Sequence, residues 1–312
     1  MKEQQDTVFR HVPCDLCGTR DFIRLGTPKS SNRIENTVTI PQDVSIVRCK
    51  RCGFYYTDPM PLWREQDLQN IYDATYFPDM TRWWKRVKTK DNPQRRLDNI
   101  EKHATDDISQ FLEVGCGLGY GLEEAMRRGW TVNGQEVSQF FAEQVESRLG
   151  TKVFVGQLED AHYPENYFDV VYVDSVLEHL PQPVEMLTEI HRILKPHGIA
   201  YITVTNEDAF INKFRGLLFK ILQPSRCPIL SPLAYPIHLV GFTPDTLKLT
   251  CRNVGFEVKS IVVCAGTDEW RKFGIRNVGC LLRNIMYYPA YFIGEKLGKG
   301  IAIEALITAR KQ

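Results

Sequence analysis

The chain has 312 residues, 43% of them apolar and 25% charged, with 39 basic against 38 acidic side chains. That length holds one α/β domain of about two hundred residues plus a small appendage, and the near-zero net charge argues against a nucleic-acid partner bound through overall basicity. No apolar run is long enough to span a bilayer, and the opening residues Met-Lys-Glu-Gln-Gln-Asp lack an apolar signal core, so a cytoplasmic location is expected. Nine cysteines without a secretory context suit that reducing compartment.

The first motif is a pair of knuckles, Cys14-Asp-Leu-Cys17-Gly and Cys49-Lys-Arg-Cys52-Gly. Two thiolates at C-x-x-C spacing reach one ion, and the following glycine takes the positive φ of a tight knuckle turn. Four thiolates in a tetrahedron suit zinc and leave no open position for catalysis, so a structural Zn2+ on Cys14, Cys17, Cys49 and Cys52 is expected. A redox dithiol, a disulfide pair or an iron–sulfur cluster are the alternatives. The long gap between the knuckles has room for strands at Thr37–Ile40 and Ser45–Val47. A closed metal site would stabilise a segment, residues 1–60, that is too small for its own core.

Residues 61–105 read as a linker with helices around Arg64–Tyr72 and Pro93–His103. Within it Trp83-Trp84 stands among Arg82, Lys85, Arg86, Lys88 and Lys90. That cluster either contacts phosphates of a substrate, membrane or RNA, or is a solvated face beside a core tryptophan.

From residue 106 the pattern is that of an α/β domain. A short apolar strand, Phe111–Val114, carries Glu113 and opens into Gly115, Gly117, Gly119 and Gly121; a helix with Leu122, Ala125 and Met126 follows, then a second strand ending in Glu136. Glycines at such a turn let a ligand lie against bare backbone, and the helix start offers unpaired N–H groups. An acid at the end of the second strand sits where a ribose diol is held. A dinucleotide fingerprint needs G-x-G-x-x-G; counted from Gly115 the third glycine is replaced by Tyr120, and from Gly117 by Leu122, so neither register fits.

Helix and strand then alternate: a helix at Gln139–Leu149, a strand at Lys152–Val155, and Phe168-Asp-Val-Val-Tyr-Val173 as a strand buried on both faces. Pro183 starts a helix through Leu194, closed by Lys195-Pro-His-Gly198, and a strand runs Ile199–Val204. The order acid-x-Gly-x-Gly-x-Gly resembles motif I of class I S-adenosylmethionine (SAM) methyltransferases. The blocks Phe168-Asp-Val-Val-Tyr-Val-Asp-Ser-Val-Leu-Glu-His-Leu180, Leu194-Lys-Pro-His-Gly198, His238-Leu-Val-Gly-Phe-Thr-Pro-Asp-Thr-Leu247 and Gly255-Phe-Glu-Val258 resemble later blocks of that family in the same order. His197 stands where the family commonly has glycine. The resemblance covers roughly residues 105–265, with a last strand expected at Ala305–Lys311.

The resemblance implies a Rossmann-like seven-stranded methyltransferase sheet with helices on both faces, preceded by a zinc-ribbon-like module. It implies SAM as cofactor, with Glu113 and the Gly115-Cys116-Gly117-Leu118-Gly119 backbone near its methionine part and Glu136 and Val137 at the ribose. Residues around Leu158 would flank the adenine, with Gln157 or Glu159 as the contact to its edge. Asp174 and Ser175 would border the methionyl end and the substrate mouth. Tyr72 and Tyr76 resemble positions near that mouth, although aromatic packing explains them as well.

Two insertions depart from the compact core, residues 208–235 and 266–299. The first has Phe210, Ile211, Phe214, Leu217, Leu218 and Ile221 at helical spacing with Lys213, Arg215 and Lys220 among them; the second is aromatic and mostly basic, broken by Pro289. They read as a substrate lid, as a weak membrane-surface patch for an anionic or lipid-linked acceptor, or as ordinary helix packing.

Methyl transfer from a sulfonium is an in-line displacement that depends on alignment and exclusion of water, and a hydroxyl acceptor gains from a base. His238 and His179 are the candidates; packing or positioning is the other reading of His179. A small-molecule acceptor is expected, O-methylation of a sugar or related metabolite above others. The alternatives are an RNA or protein methyltransferase and a non-catalytic SAM-binding scaffold. Asp174-Ser-Val-Leu in place of Asn-Pro-Pro-Tyr counts against methylation of a base amino group.

Overall fold

A computed structural model describes residues 8–30, 40–72, 91–234, 237–264, 292–294 and 296–310. Most of the expected strand at Thr37–Ile40, Tyr76, the Trp83-Trp84 cluster and most of the 266–299 insertion lie outside the described residues.

The N-terminal module is antiparallel. Strand β1 (Val8–Arg10) pairs with β5 (Met60–Leu62), while β2 (Phe22–Gly26), β3 (Ser45–Cys49) and β4 (Tyr55–Asp58) form a sheet that β11 (Val240–Gly241) joins through β4. Each knuckle closes as its glycine dictates: Gly18, at φ +70, donates to the Cys14 carbonyl at 2.8 Å, and Gly53, at φ +83, donates to the Cys49 carbonyl at 3.1 Å. Leu16, Val47, Phe54 and Tyr56 are buried in the same apolar cluster as Leu177, Leu187, Leu239 and Phe242 from the later part of the chain. The module thus borrows its core from the domain it precedes, as a segment of that size must.

Helix α1 (Glu65–Ile71) is followed in sequence by α2 (Asp91–Glu101), which begins and ends two residues before the expected Pro93–His103. The large sheet then runs β6 (Gln110–Val114), α3 (Tyr120–Arg127), β7 (Thr131–Glu136), α4 (Gln139–Leu149), β8 (Val153–Val155), β9 (Phe168–Asp174), α5 (Pro183–Ile193), β10 (Leu194–Thr205), α6 (Phe210–Leu222), α7 (Pro244–Val254), β12 (Phe256–Cys264) and β13 (Ala302–Ala309). Seven strands lie in the order β12-β13-β10-β9-β6-β7-β8, with β6 to β10 parallel and β13 antiparallel between β10 and β12.

Period-2 alternation sends the two sides of each central strand into different cores. Val170 and Tyr172 face Phe111, Leu122 and Leu97, whereas Val171 and Val173 join Leu112, Leu187 and Ile190. The carboxyl ends of β6, β7 and β9 meet where the strand order reverses, which in an open α/β sheet is where a ligand binds. The departure at His197 falls on a positive φ of 65°, so an imidazole-bearing residue occupies a left-handed position that glycine takes freely.

The first insertion divides in two. Residues 210–222 form the helix that the apolar spacing predicts, but the part after it returns to the N-terminal module: Thr27 bridges Arg226, Ser30 bridges Leu233, and Cys227 and Leu230 pack on Ile46.

Candidate functional site

The glycine turn after β6 is built from three successive left-handed glycines, Gly115, Gly117 and Gly119, at φ between 52° and 66°. Gly115 is required twice over, since a Cβ there would meet Val176 Cγ2 at 2.6 Å. Glu113 works from beneath the turn: its Oε2 accepts from the Leu122 N–H at 2.8 Å at the start of α3, and a Cβ on Gly121 would collide with that carboxylate at 2.7 Å. The acid therefore fixes how α3 leaves the turn, and with it which N–H groups line the cradle. Cys116, 3% exposed, is buried in the turn.

Glu136 ends β7 with its carboxylate folded onto the turn. Oε2 accepts from Gly117 N at 2.7 Å and Oε1 from Ser138 N at 3.0 Å. A carboxylate offers about four acceptor positions, the chemistry that a diol requires. Beside it Gln135, 2% exposed, accepts from Gly115 N at 3.1 Å and donates to the Gly156 carbonyl at 2.5 Å, tying the glycine turn to the loop after β8. On that loop Gln157 precedes a short 3-10 turn, Leu158–Ala161, with Leu158 fully buried and burial raising the carboxyl pKa of Glu159.

The linker reaches across this region. Gln69 on α1 donates to the Val137 carbonyl at 2.6 Å and accepts from Gln139 N at 3.1 Å, and Ser138 Oγ donates to the Tyr72 carbonyl at 2.6 Å. Tyr72 then places its hydroxyl 3.3 Å from His179 Nδ1. One residue thus spans from Ser138, beside Glu136, to His179.

His179, on a 3-10 turn at Leu177–His179, and His238, just before β11, lie with ring centroids 5.0 Å apart and nearly perpendicular. His179 Nδ1 is 2.6 Å from the Ile237 carbonyl, which can only accept, so Nδ1 carries the proton and Nε2 is the basic nitrogen. Burial, and next the neighbouring His179, hold the His238 pKa well below the usual imidazole range, so it is neutral at physiological pH. Together with the buried Glu178 the two rings put ligand-type atoms within 4.8 Å of one another, a set able to hold a proton or a cation.

The N-terminal module grips both histidine segments. Asp15, inside the first knuckle, accepts from Val184 N at 2.9 Å at the start of α5. Thr57 on β4 donates to the Leu239 carbonyl through N–H and hydroxyl, both at 3.0 Å, and Leu239 N donates to the Glu178 carbonyl at 2.8 Å.

Asp174 is buried at the end of β9 with its carboxylate 2.9 Å from Arg96 Nη1 and accepting from Thr203 Oγ1. Arg96 also donates to Tyr172 Oη at 2.8 Å and Glu304 Oε1 at 3.1 Å, forming a buried network across α2, β9 and β13. Ser175, by contrast, is exposed with a positive φ of 61°.

The four knuckle thiols converge. Cys14 Sγ lies 3.5 Å from Cys52 Sγ, Cys17 Sγ lies 3.5 Å from Cys49 Sγ, and all four sit within 4.8 Å of one another. Those separations exceed a disulfide bond and match the edge of about 3.8 Å that a tetrahedron with metal–sulfur bonds near 2.3 Å requires. Burial raises the Cys14 thiol strongly and Cys52 to about 11; for Cys49 burial opposes ionisation but the Cys52 N–H and neighbouring thiols outweigh it and bring it to about 7. Four thiolates in so small a volume repel one another, and a divalent cation is what makes their joint ionisation favourable.

Of the sequence-derived site residues, the structure brings Glu113, Gly115, Cys116, Gly117, Gly119, Glu136 and Val137 together around one turn, Tyr72, His179 and His238 into one cluster, and the four cysteines to one point. Gln135, Gln69, Ser138, Arg96 and Thr57 were not singled out. Only Ser138 had a local signal, a hydroxyl residue at a helix N-cap, where its side chain accepts from Phe141 N.

A methyltransferase-domain family model matches residues 112–202. Ubiquinone biosynthesis O-methyltransferase of Pseudomonas paraeruginosa is 28% identical over 193 residues, covering 58% of this chain and 80% of that protein. The protein of the same description from Azoarcus sp. is 26% identical over 198 residues, covering 59% and 82%. Among solved structures, a SAM-dependent methyltransferase of Archaeoglobus fulgidus superposes with a TM-score of 0.51 at 17% identity, covering 76% of this chain and all of that one. One from Thermotoga maritima gives 0.51 at 18% identity, covering 76% and 97%.

Proposed function

We propose that this chain, a SAM-dependent methyltransferase, moves the methyl group to a hydroxyl of a small molecule, with a sugar or related metabolite as the acceptor. The observation that carries the reading is the meeting of His179 and His238, from segments far apart in sequence, beside the Tyr72 strap that runs back to the glycine turn. The names of the O-methyltransferase relatives support oxygen as the receiving atom.

Bound SAM supplies an electrophilic methyl on a sulfonium. In this reading the Gly115–Gly119 backbone cradles its methionine part, Glu136 takes the ribose hydroxyls, and Leu158 with Gln157 or Glu159 borders the adenine. Asp174 and Ser175 mark the edge of the acceptor side, and the ion pair with Arg96 fixes the Asp174 carboxylate in place. His238 takes the acceptor proton: its neutral form is the one a base needs, and its low pKa favours passing the proton onward. His179 orients it and accepts at Nε2.

Zinc on Cys14, Cys17, Cys49 and Cys52 is part of the same reading, supported by the thiol geometry. Its role is structural: it holds Asp15 against α5 and Thr57 against Leu239, and so the segments that bear the histidines.

The experiment is a screen for conversion of SAM to S-adenosylhomocysteine with hydroxyl compounds, including sugars, sugar nucleotides and phenols, alongside RNA and protein controls. Turnover with a sugar-type acceptor that falls at least about a hundredfold in His238→Ala, with SAM affinity unchanged, is the expected result. Turnover confined to RNA or protein, or a His238→Ala enzyme of full activity, would defeat it.

A further inference from the structure

We propose that α6 is a docking face for an anionic phospholipid surface. Of its thirteen residues only Ile211 is buried, while Leu217, Ile221 and Leu222 are 60%, 74% and 72% exposed. Exposed apolar residues scattered singly are ordinary on a soluble protein; three within the last two turns of one helix form a patch.

The charge around that patch identifies its partner. The sequence of α6 holds Lys213, Arg215 and Lys220 and no acid. Lys220 is exposed on the same sector as Leu217 and Ile221, since steps of three and four residues share a helix face, while Lys213, one turn earlier, is paired with Asp208 at 2.6 Å. A second segment extends the pattern at the start of the helix. Phe210 N donates to the Lys299 carbonyl at 3.1 Å, and a Cβ on Gly294 would lie 3.1 Å from Phe210 Cβ. Around that contact Phe292 is 52%, Ile293 42% and Leu297 61% exposed, with Glu295 and Lys296 between them in sequence.

An apolar strip rimmed by lysines on a helix that cannot cross a bilayer is the pattern of an element lying in the headgroup plane, its apolar face among the acyl chains and its cations on lipid phosphates. Among the described residues no helix is long and apolar enough to span a membrane. The helix leaves β10 at Asn206 and Glu207, and Glu207 N donates to the carbonyl of Phe242 in the segment that carries His238. The start of the helix therefore lies beside the segment that carries His238. The proposal does not depend on what the acceptor is.

The test is flotation of the full chain with vesicles of phosphatidylcholine alone and with about one third phosphatidylglycerol, at low and high salt. The expected result is binding to the anionic vesicles only, released by salt. The double variant L217E/I221E should lower the bound fraction at least about tenfold, with SAM affinity and thermal midpoint as controls on folding. K220Q/K296Q, which leaves the apolar strip and the Lys213–Asp208 ion pair in place, should remove the salt-sensitive part of binding and serves as the second variant if L217E/I221E folds poorly. No binding to anionic vesicles, or binding indifferent to both variants, overturns the proposal. So does a wild-type dimer in light scattering that L217E/I221E converts to monomer, which would make the face a self-interface.

Discussion

Glu136→Gln isolates the contribution of one charge to the cofactor site. The carboxylate is 7% exposed and already satisfies Gly117 N and Ser138 N, one with each oxygen. In our account the same carboxylate accepts from the two ribose hydroxyls of bound SAM. Glutamine keeps the size but loses the charge, and its NH2 must face one of two backbone N–H groups, so one of those bonds is lost as well. A hydrogen bond to a charged group contributes about 1.5–3 kcal/mol against about 0.5–1.5 for a neutral one. Weakening two such bonds removes about 2 kcal/mol from SAM binding, or roughly thirtyfold in Kd, and the displaced Gly117 N–H adds to that. Isothermal titration calorimetry with SAM measures it directly, with the thermal midpoint of the free protein as a control for the turn. A Kd within about threefold of wild type would refute the assignment of Glu136 to the ribose.

Three further outcomes follow from buried groups and the cysteine cluster. Arg96→Met leaves the buried Asp174 carboxylate without its arginine, while Glu304 keeps Arg95 and Tyr201, and should lower unfolding free energy by about 3–5 kcal/mol, with part recovered in Arg96→Met/Asp174→Asn, read by chemical denaturation. Burial raises the Glu207 carboxyl to about 7 from 4.5, so the unfolded chain releases that proton first and stability falls as pH rises between those values; Glu207→Gln should flatten the slope and gain about 2–3 kcal/mol at pH 8, and equal denaturation curves at pH 8 would contradict this. Removing the metal by chelation, followed by mass spectrometry for zinc, should abolish methyl transfer by more than about tenfold while SAM affinity moves less than about threefold, because the module grips the histidine segments and not the glycine turn.

The parts of the site that were legible in the sequence are those whose chemistry is local. The glycine turn, Glu113 before it and Glu136 after it follow from one strand–turn–helix–strand unit, and the knuckles from spacing alone. The strands of the large sheet were legible for the same reason, because residues such as Val170–Val173 form continuous apolar runs that only a doubly covered parallel strand needs. Arg96, Gln69 and Gln135 were not, because their partners come from other elements: Arg96 joins Asp174 and Glu304, and Gln69 joins the loop after β7. A lone arginine or glutamine on a helix reads as a solvated face until the partner is placed. The 208–235 insertion shows both cases in one stretch. Its apolar spacing predicted the helix at 210–222, but nothing in residues 225–233 announced their pairing with the N-terminal module, where Gly26 at φ +137 leaves room for the Ser225 carbonyl.

The most direct test of the central claim uses SAM labelled with carbon-13 in its methyl group and the best acceptor from the hydroxyl screen, with product carbon read by NMR. The account predicts that the label appears as a methoxy carbon on a small molecule and that its appearance slows in His238→Ala. Label on nitrogen or carbon, on RNA or protein, or retained entirely on SAM that the protein binds, would contradict it.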